Sequence, residues 1–304
     1  MKSAVIIGFG SIGARHAQLL AERGVRVGAV TRNPECSYPA YAGMDAALAD
    51  LRPELVVVSN ETSRHIETLE RLADCGYAGT VLVEKPLSDR PAPVRDWPFA
   101  DIFVAYNLRF HPVIQALRRV LAAEKVISAQ VHVGQYLPDW RPERDYRQSY
   151  SARRDAGGGV LRDLSHELDY ALWLFGNWQR VAALGGHFSS LDIDSDDAWA
   201  ILMQLERCPM LTLQMNYLDR APRREIAVDT DSHSYRADLV SGALWRDGVE
   251  EPFACERDTT YRLQLEAVLS KDRADFCSLT EGARIVELIH CIEAAAAQGS
   301  WVKS

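Results

Sequence analysis

Ser3-Ala4-Val5-Ile6-Ile7 runs directly into Gly8-Phe9-Gly10-Ser11-Ile12-Gly13, and this junction decides the fold. The first five residues predict a short buried strand. Ser11–Arg23, closed by Gly24, predicts a helix. A G-x-G-x-x-G turn between a strand and a helix has a specific physical use. Gly8 permits the tight turn, Gly10 lets backbone approach a pyrophosphate, and Gly13 lets the helix pack closely on the strand. The first N–H groups of the helix then face the phosphates. Gly8, Phe9, Gly10, Ser11, Ile12 and Gly13 are therefore the first candidates for cofactor binding. A glycine turn without a ligand is the competing reading, and the strand–helix context argues against it.

Outward from this turn, strands and helices alternate. Val25–Val30, Leu55–Ser59, Thr80–Val83 and Ile102–Ala105 read as strands; Met44–Leu51 and Ser63–Cys75, the latter closed by Gly76, read as helices. Such alternation predicts a parallel sheet covered on both faces, an α/β Rossmann domain over residues 1–120. The period then changes. Leu211, Leu213, Met215 and Tyr217 alternate with Thr212, Gln214 and Asn216, as a half-buried strand does. Ser128–Val133, Ala198–Leu205, Glu225–Val228 and His233–Val240 add strands, so residues 121–304 predict an α+β domain with an open, mainly antiparallel sheet. Ser278 and Glu281 form a capping box ahead of the stripe Ile285, Leu288, Ile289 and Ile292. An uncovered sheet face predicts burial against a second copy, as a homo-oligomer.

Composition narrows the function classes. With 34 Lys and Arg against 42 Asp and Glu, net charge −8, the chain lacks the basic footprint of a nucleic-acid binder. No apolar run approaches a membrane span, so no membrane partner is expected and the location is read as cytoplasmic. The six cysteines form no C-x-x-C pair; a reduced compartment is expected, with four or five of them buried as small hydrophobes. His132, His187 and His233 lack ligand spacing, so no metal is expected. No G-x-S-x-G elbow appears.

The end of the second strand bears on cofactor choice. An acidic residue there would hold a ribose 2′-hydroxyl, but the chain reads Val30-Thr31-Arg32-Asn33. Thr31 and Arg32 suit a 2′-phosphate, so NADP(H) is favoured, with NAD(H) open.

Gly8–His16 (GFGSIGARH), Ser59–His65 (SNETSRH), Glu84-Lys85-Pro86, Tyr106–Phe110 (YNLRF) and Gly157–Asp169 (GGGVLRDLSHELD) together resemble the glucose-fructose oxidoreductase, inositol dehydrogenase and MocA family. The stretch from Tyr136 to Tyr170 is similar to members found in surface-sugar biosynthesis. The resemblance implies hydride transfer between nicotinamide and a sugar, or a nucleotide-sugar, with Lys85 and His166 at the active site. Its usual Asp lies four residues before the His, whereas Asp163 lies three before His166. Two other readings stay open: redox-neutral, NAD-dependent glycoside elimination, and a non-enzymatic cofactor-binding regulator.

The residues fit that chemistry. Oxidising an alcohol needs a group that takes the hydroxyl proton, and a neutral His does so near pH 7. A Lys ammonium stabilises negative charge on the substrate oxygen. On a continuous helix Asp163–Phe175, at about 100° per residue, Asp163, His166, Asp169, Tyr170 and Trp173 share one face. Asp163 and Asp169 are then placed to orient His166. Gly157-Gly158-Gly159 before that face suggests close approach of a ligand. The catalytic candidates are Lys85, His166 and Asp163. Asn60, His65, Glu84, Lys85 and Asn107 join the cofactor set, and Lys85, Asn107, Tyr146, Asp163 and His166 form the substrate set. Trp140-Arg141 resembles a cofactor-contacting pair of the family. Arg144, Arg147 and Tyr150 are read equally as ligand contacts or surface turns.

Overall fold

A computed structural model describes residues 1–304, which divide into two compact units. The first comprises Met1–Asn107 and Asp258–Val286; the second comprises Leu108–Arg257 and Glu287–Ser304. The single cut expected near residue 120 is thus replaced by a chain that leaves the first unit after Asn107 and returns to it at Asp258. No local sequence signal marks that return.

In the first unit, β1 (Ser3–Ile7) pairs in parallel with β2 (Arg26–Val30) on one side and β4 (Leu55–Val58) on the other. β3 (Ala40–Tyr41) extends the β2 edge; β5 (Thr80–Val83) and β6 (Asp101–Val104) extend the β4 edge, all parallel. The resulting order, 3-2-1-4-5-6, is that of a dinucleotide-binding sheet. β1 and β4 are buried along their whole length, as expected of central parallel strands. Helices α1 (Ser11–Glu22), α2 (Met44–Leu51) and α3 (His65–Asp74) follow β1, β3 and β4.

In the second unit, α4 (Pro112–Leu121) leads to β7 (Val126–Gly134). Two helices, α5 (Val160–Asp163) and α6 (His166–Phe175), precede β8 (Trp178–Gly186), β9 (Ala198–Leu205), β10 (Cys208–Asn216), β11 (Arg223–Thr230), β12 (Ser234–Asp238), β13 (Ala243–Arg246) and β14 (Val249–Pro252). The chain then supplies α7 (Thr259–Ser270) and the edge strand β15 (Cys277–Ser278) to the first unit, the latter antiparallel to β6. The units share α8 (Leu279–Gln298), and β16 (Val302–Lys303) closes on β8. The nine-stranded sheet runs β14-β13-β12-β11-β7-β10-β9-β8-β16 and is antiparallel except for β7 with β10. Alternation holds: Leu211, Leu213, Met215 and Tyr217 are buried.

The capping box forms, with Glu281 accepting from the Ser278 N–H at 2.8 Å while Ser278 Oγ accepts from the Glu281 N–H at 3.2 Å. Ile285, Leu288, Ile289 and Ile292 are buried beneath it. The cysteines depart from expectation. All six are free, but only Cys208 and Cys277 are buried, and Cys75 is exposed. No helix is long and apolar enough to cross a membrane.

Candidate functional site

The glycine turn leaves the carboxyl end of β1, and its three glycines answer different demands. Gly8 has φ +90°, and a Cβ there would lie 2.6 Å from the Asn60 backbone nitrogen. At Gly13 a Cβ would lie 2.1 Å from the Gly8 carbonyl oxygen. Both positions are closed by the protein's own backbone. A Cβ at Gly10 would meet nothing within 4 Å. Gly10 is the N-cap of α1, without a side-chain cap and without an acidic residue in the first turn. The turn therefore offers clearance and an unopposed helix dipole, which suits a pyrophosphate. Beside it, Thr31 Oγ1 accepts from the Asn33 N–H at 3.0 Å, and Asn33 Nδ2 donates to the Phe9 carbonyl at 3.2 Å. Arg32 is exposed in the same loop.

Ser59–Asn60 and Glu84-Lys85-Pro86 leave the carboxyl ends of β4 and β5. Ser59 Oγ donates to the Gly8 carbonyl at 2.8 Å, which ties the two loops together. Asn60 Nδ2 donates to Thr68 Oγ1 at 2.8 Å, while its buried Oδ1 has no protein donor. His65, expected as a cofactor contact, is only 1% exposed. Its Nδ1 lies 3.1 Å from the Pro86 carbonyl and its Nε2 lies 3.2 Å from the Asn60 carbonyl. Burial pushes its pKa down, so the ring is neutral and donates to one of the two. His65 thus braces the backbone that carries Lys85, because its ring is walled in by its own loops. The Lys85–Pro86 bond is cis, and Lys85 is half-buried. Glu84 Oε1 lies 2.8 Å from His16 Nε2, and Glu84 Oε2 accepts from the Lys85 N–H at 3.2 Å. Asn107, another expected contact, is 4% exposed and donates to Thr260 Oγ1 at 2.8 Å. As placed, it ties α7 to the strand ends.

In the second unit the expected continuous helix Asp163–Phe175 is two helices. α5 ends at Asp163, and the chain breaks at Leu164, φ −99° and ψ 26°, before α6 starts at His166. The break separates Asp163 from His166, Asp169, Tyr170 and Trp173, which stay together on α6. Asp169 is 1% exposed and held by Arg109, with Nη2 donating at 2.7 Å and Nε at 3.0 and 3.1 Å. Its carboxylate neutralises a fully buried guanidinium. Tyr170, also expected on the polar face, is fully buried and donates to Glu167 at 3.2 Å.

Asp163, 6% exposed, accepts from the Tyr217 hydroxyl at 2.6 Å and from the Tyr150 hydroxyl in a short hydrogen bond. Burial, then the Asp163 charge, raises both phenols well above their ordinary range, so both remain donors. Tyr150 keeps its ring half-exposed while its hydroxyl is tucked onto Asp163. His166 is half-buried at the first position of α6.

The Gly157–Gly159 run differs from its expected use. A Cβ at Gly158 would lie 2.1 Å from the Tyr150 carbonyl, and one at Gly159 would lie 2.1 Å from Asp196 Oδ1. These glycines admit protein atoms. Asp196 in turn accepts from the Leu161 N–H at 3.0 Å and from Trp199 Nε1 at 2.7 Å. Tyr146, a substrate candidate, uses its hydroxyl to accept from the Asp192 N–H at 3.2 Å, and Arg147 pairs with Asp145 at 2.8 Å. Trp140 donates to the Gln135 carbonyl at 3.3 Å and packs edge-on against Tyr217.

Sequence reasoning missed His16, Arg109, Asn33 and Tyr217 as partners of the site residues. His16 and Arg109 stood inside quoted stretches. Their signal was a charged or titratable residue on an otherwise apolar segment, which requires a buried partner.

Residues 114–236 match the family model for the GFO/IDH/MocA C-terminal domain. An uncharacterised oxidoreductase of Synechocystis sp. is 26% identical over 161 residues, which span 51% of this chain and 43% of that protein. The chain thus matches less than half the length of this curated relative. Among solved structures, levoglucosan dehydrogenase with NADH has a TM-score of 0.83 at 17% identity, covering 99% of this chain and 98% of that one. GenD2 of gentamicin A biosynthesis with NAD has a TM-score of 0.81 at 20% identity, covering 100% and 96%. The WlbA dehydrogenase of Bordetella pertussis, with NADH and UDP-GlcNAcA, has a TM-score of 0.79 at 17% identity, covering 100% and 99%. These three likenesses establish the shared fold.

Proposed function

We propose that the chain is a member of the GFO/IDH/MocA family, whose C-terminal domain model matches residues 114–236, and that it is a nicotinamide-dependent oxidoreductase acting on a sugar or nucleotide-sugar carbon. One observation carries this reading. The turn at Gly8, Gly10 and Gly13 leaves open space only where a pyrophosphate would approach, and Lys85 leaves the same, carboxyl end of the sheet. When bound, the nicotinamide accepts or supplies the hydride. Lys85 donates a hydrogen bond to the substrate oxygen and steadies its negative charge. His166 exchanges the hydroxyl proton, as a neutral imidazole does near pH 7. Asp163 shapes the wall near His166 through Tyr150 and Tyr217. Sugar or nucleotide-sugar substrates are supported by two structural relatives, levoglucosan dehydrogenase with NADH and L-sorbose and the WlbA dehydrogenase with NADH and UDP-GlcNAcA.

Arg32, exposed where an acidic residue would hold a ribose 2′-hydroxyl, supports NADP(H) over NAD(H). A charged hydrogen bond to a 2′-phosphate contributes about 1.5–3 kcal/mol. Titration calorimetry with both reduced cofactors tests the preference, and tighter NADH binding refutes it. Turnover on a panel of sugars and nucleotide-sugars, followed by nicotinamide absorbance, tests the reaction class. Product formation without stoichiometric absorbance change would favour redox-neutral elimination.

The second unit also supports self-association. Leu202 and Met210 are exposed on adjacent strands of its sheet, and Leu184 lies on the next strand at 72% exposure. Burying such a patch against a second copy predicts a dimer or tetramer. Sedimentation showing a monomer at micromolar concentration refutes it.

A further inference from the structure

We infer that His16 is a positioning residue that sets the Glu84 carboxylate, and through it the Lys85 backbone, against the cofactor; this rests on the nicotinamide reading above. His16 lies on α1, three residues after Gly13, and is completely buried. Its Nε2 lies 2.8 Å from Glu84 Oε1. The other oxygen of the same carboxylate accepts from the Lys85 N–H at 3.2 Å. Glu84 is therefore fixed at both oxygens, once by the helix that starts at the glycine turn and once by the loop that carries Lys85.

The ring's surroundings select its chemistry. His16 Nδ1 is buried and has no hydrogen-bond partner. A proton there would be an N–H buried without an acceptor, which is expensive. Nε2 is thus the ring nitrogen that carries the proton and donates to Glu84. Tyr261 of α7 packs edge-on against the ring, centroids 5.6 Å apart, and closes its remaining side. Arg15 stands over the Tyr261 ring at 5.2 Å and pairs with Asp258 at 3.3 Å. His16 is a fixed donor on a rigid helix. Its effect is mechanical: it links the pyrophosphate turn to the Lys85 loop across 68 residues of chain.

The test compares substitutions at position 16 by titrating the full chain with NADPH and NADH. Gln keeps an N–H donor at about the reach of Nε2; Leu keeps volume without a donor. His16→Gln should bind within about threefold of the wild type and His16→Leu about tenfold more weakly, the scale of one charge-assisted hydrogen bond. In a Glu84→Ala background the two should bind alike, because the partner is gone. A merely structural histidine would lower the melting temperature of both variants without this coupling. If His16→Leu fails to fold, His16→Asn, whose amide is too short to reach Glu84, takes its place. Equal affinities for the Gln and Leu variants, or a Leu defect that persists in the Glu84→Ala background, overturns the inference. Absence of any nicotinamide binding by the wild type would instead overturn the proposed function.

Discussion

The two glycine runs read alike in sequence and differ in space. At Gly8–Gly13, two glycines are closed by backbone and the middle one opens onto empty space. At Gly157–Gly159, Gly158 is closed by the Tyr150 carbonyl and Gly159 by Asp196, while Gly157 alone is open. The first run leaves open space at the start of a 12-residue helix. The second makes room for the protein itself, so that α5 can pack against the loop bearing Asp196 and end at Asp163. A glycine therefore announces close approach, but whether a ligand or a side chain approaches is decided by what the fold brings opposite it.

If the first run serves the cofactor and the second only frames the wall that bears His166, side chains after each run should fail differently. Lys85→Met should retain cofactor affinity and lose turnover, since the substrate oxygen loses its charged partner. His166→Ala should slow turnover by roughly 10²–10⁴-fold, the usual contribution of general acid–base catalysis. Steady-state kinetics and calorimetry on the two variants check this. A His166→Ala enzyme with full kcat would leave Lys85 or a tyrosine as the proton carrier.

Next in size is Gly159→Ala. Its φ of +117° and the collision with Asp196 add backbone strain to overpacking, together roughly 2–5 kcal/mol of stability. Chemical denaturation should show this loss. Cofactor affinity of the remaining folded protein should stay unchanged, because the damage is confined to the second unit. Gly10→Ala should show the reverse. Its stability should shift by no more than about 1 kcal/mol, the range of an N-cap exchange. Its cofactor affinity should fall about tenfold or more, as a methyl group enters the pyrophosphate space. A Gly10→Ala chain that binds normally would erase the distinction between the runs.

These contrasts mark what the residues disclose alone. The parallel strands β1, β2, β4, β5 and β6 were legible because strand, turn and helix signals recur locally, whereas the two-residue strand β3 and the order of the strands were not. The alternation of Leu211, Leu213, Met215 and Tyr217 was legible for the same reason. The return of Asp258–Val286 to the first unit was not, since nothing in the segment records where its apolar face will be buried. Arg109 and Asp169, 60 residues apart, could not be matched from spacing. The helix wheel failed at Leu164 because a wheel assumes an unbroken helix. His65 stands at a helix start and Asn107 just past a strand end, as expected, but both side chains are buried there.

Asp163→Asn has the smallest expected effect and tests the second run most finely. The carboxylate accepts from two phenols, one on each oxygen. An amide keeps one acceptor oxygen and replaces the other with an NH2 group. That group can donate to a phenol oxygen only if the hydroxyl turns its proton elsewhere, and Tyr217 is buried with few alternatives. The loss should be about 1–2 kcal/mol of stability, one charge-assisted hydrogen bond exchanged for a neutral one. Asp169, the other nearby carboxylate, is paired with Arg109. If Asp163 only shapes the wall, kcat should fall by less than the factor for His166→Ala, and the pH profile of turnover should keep its shape. A kcat loss equal to that of His166→Ala, with unchanged melting temperature, would make Asp163 part of the proton path. The glycine run at Gly157–Gly159 would then frame chemistry as directly as the turn at Gly8–Gly13 frames the cofactor.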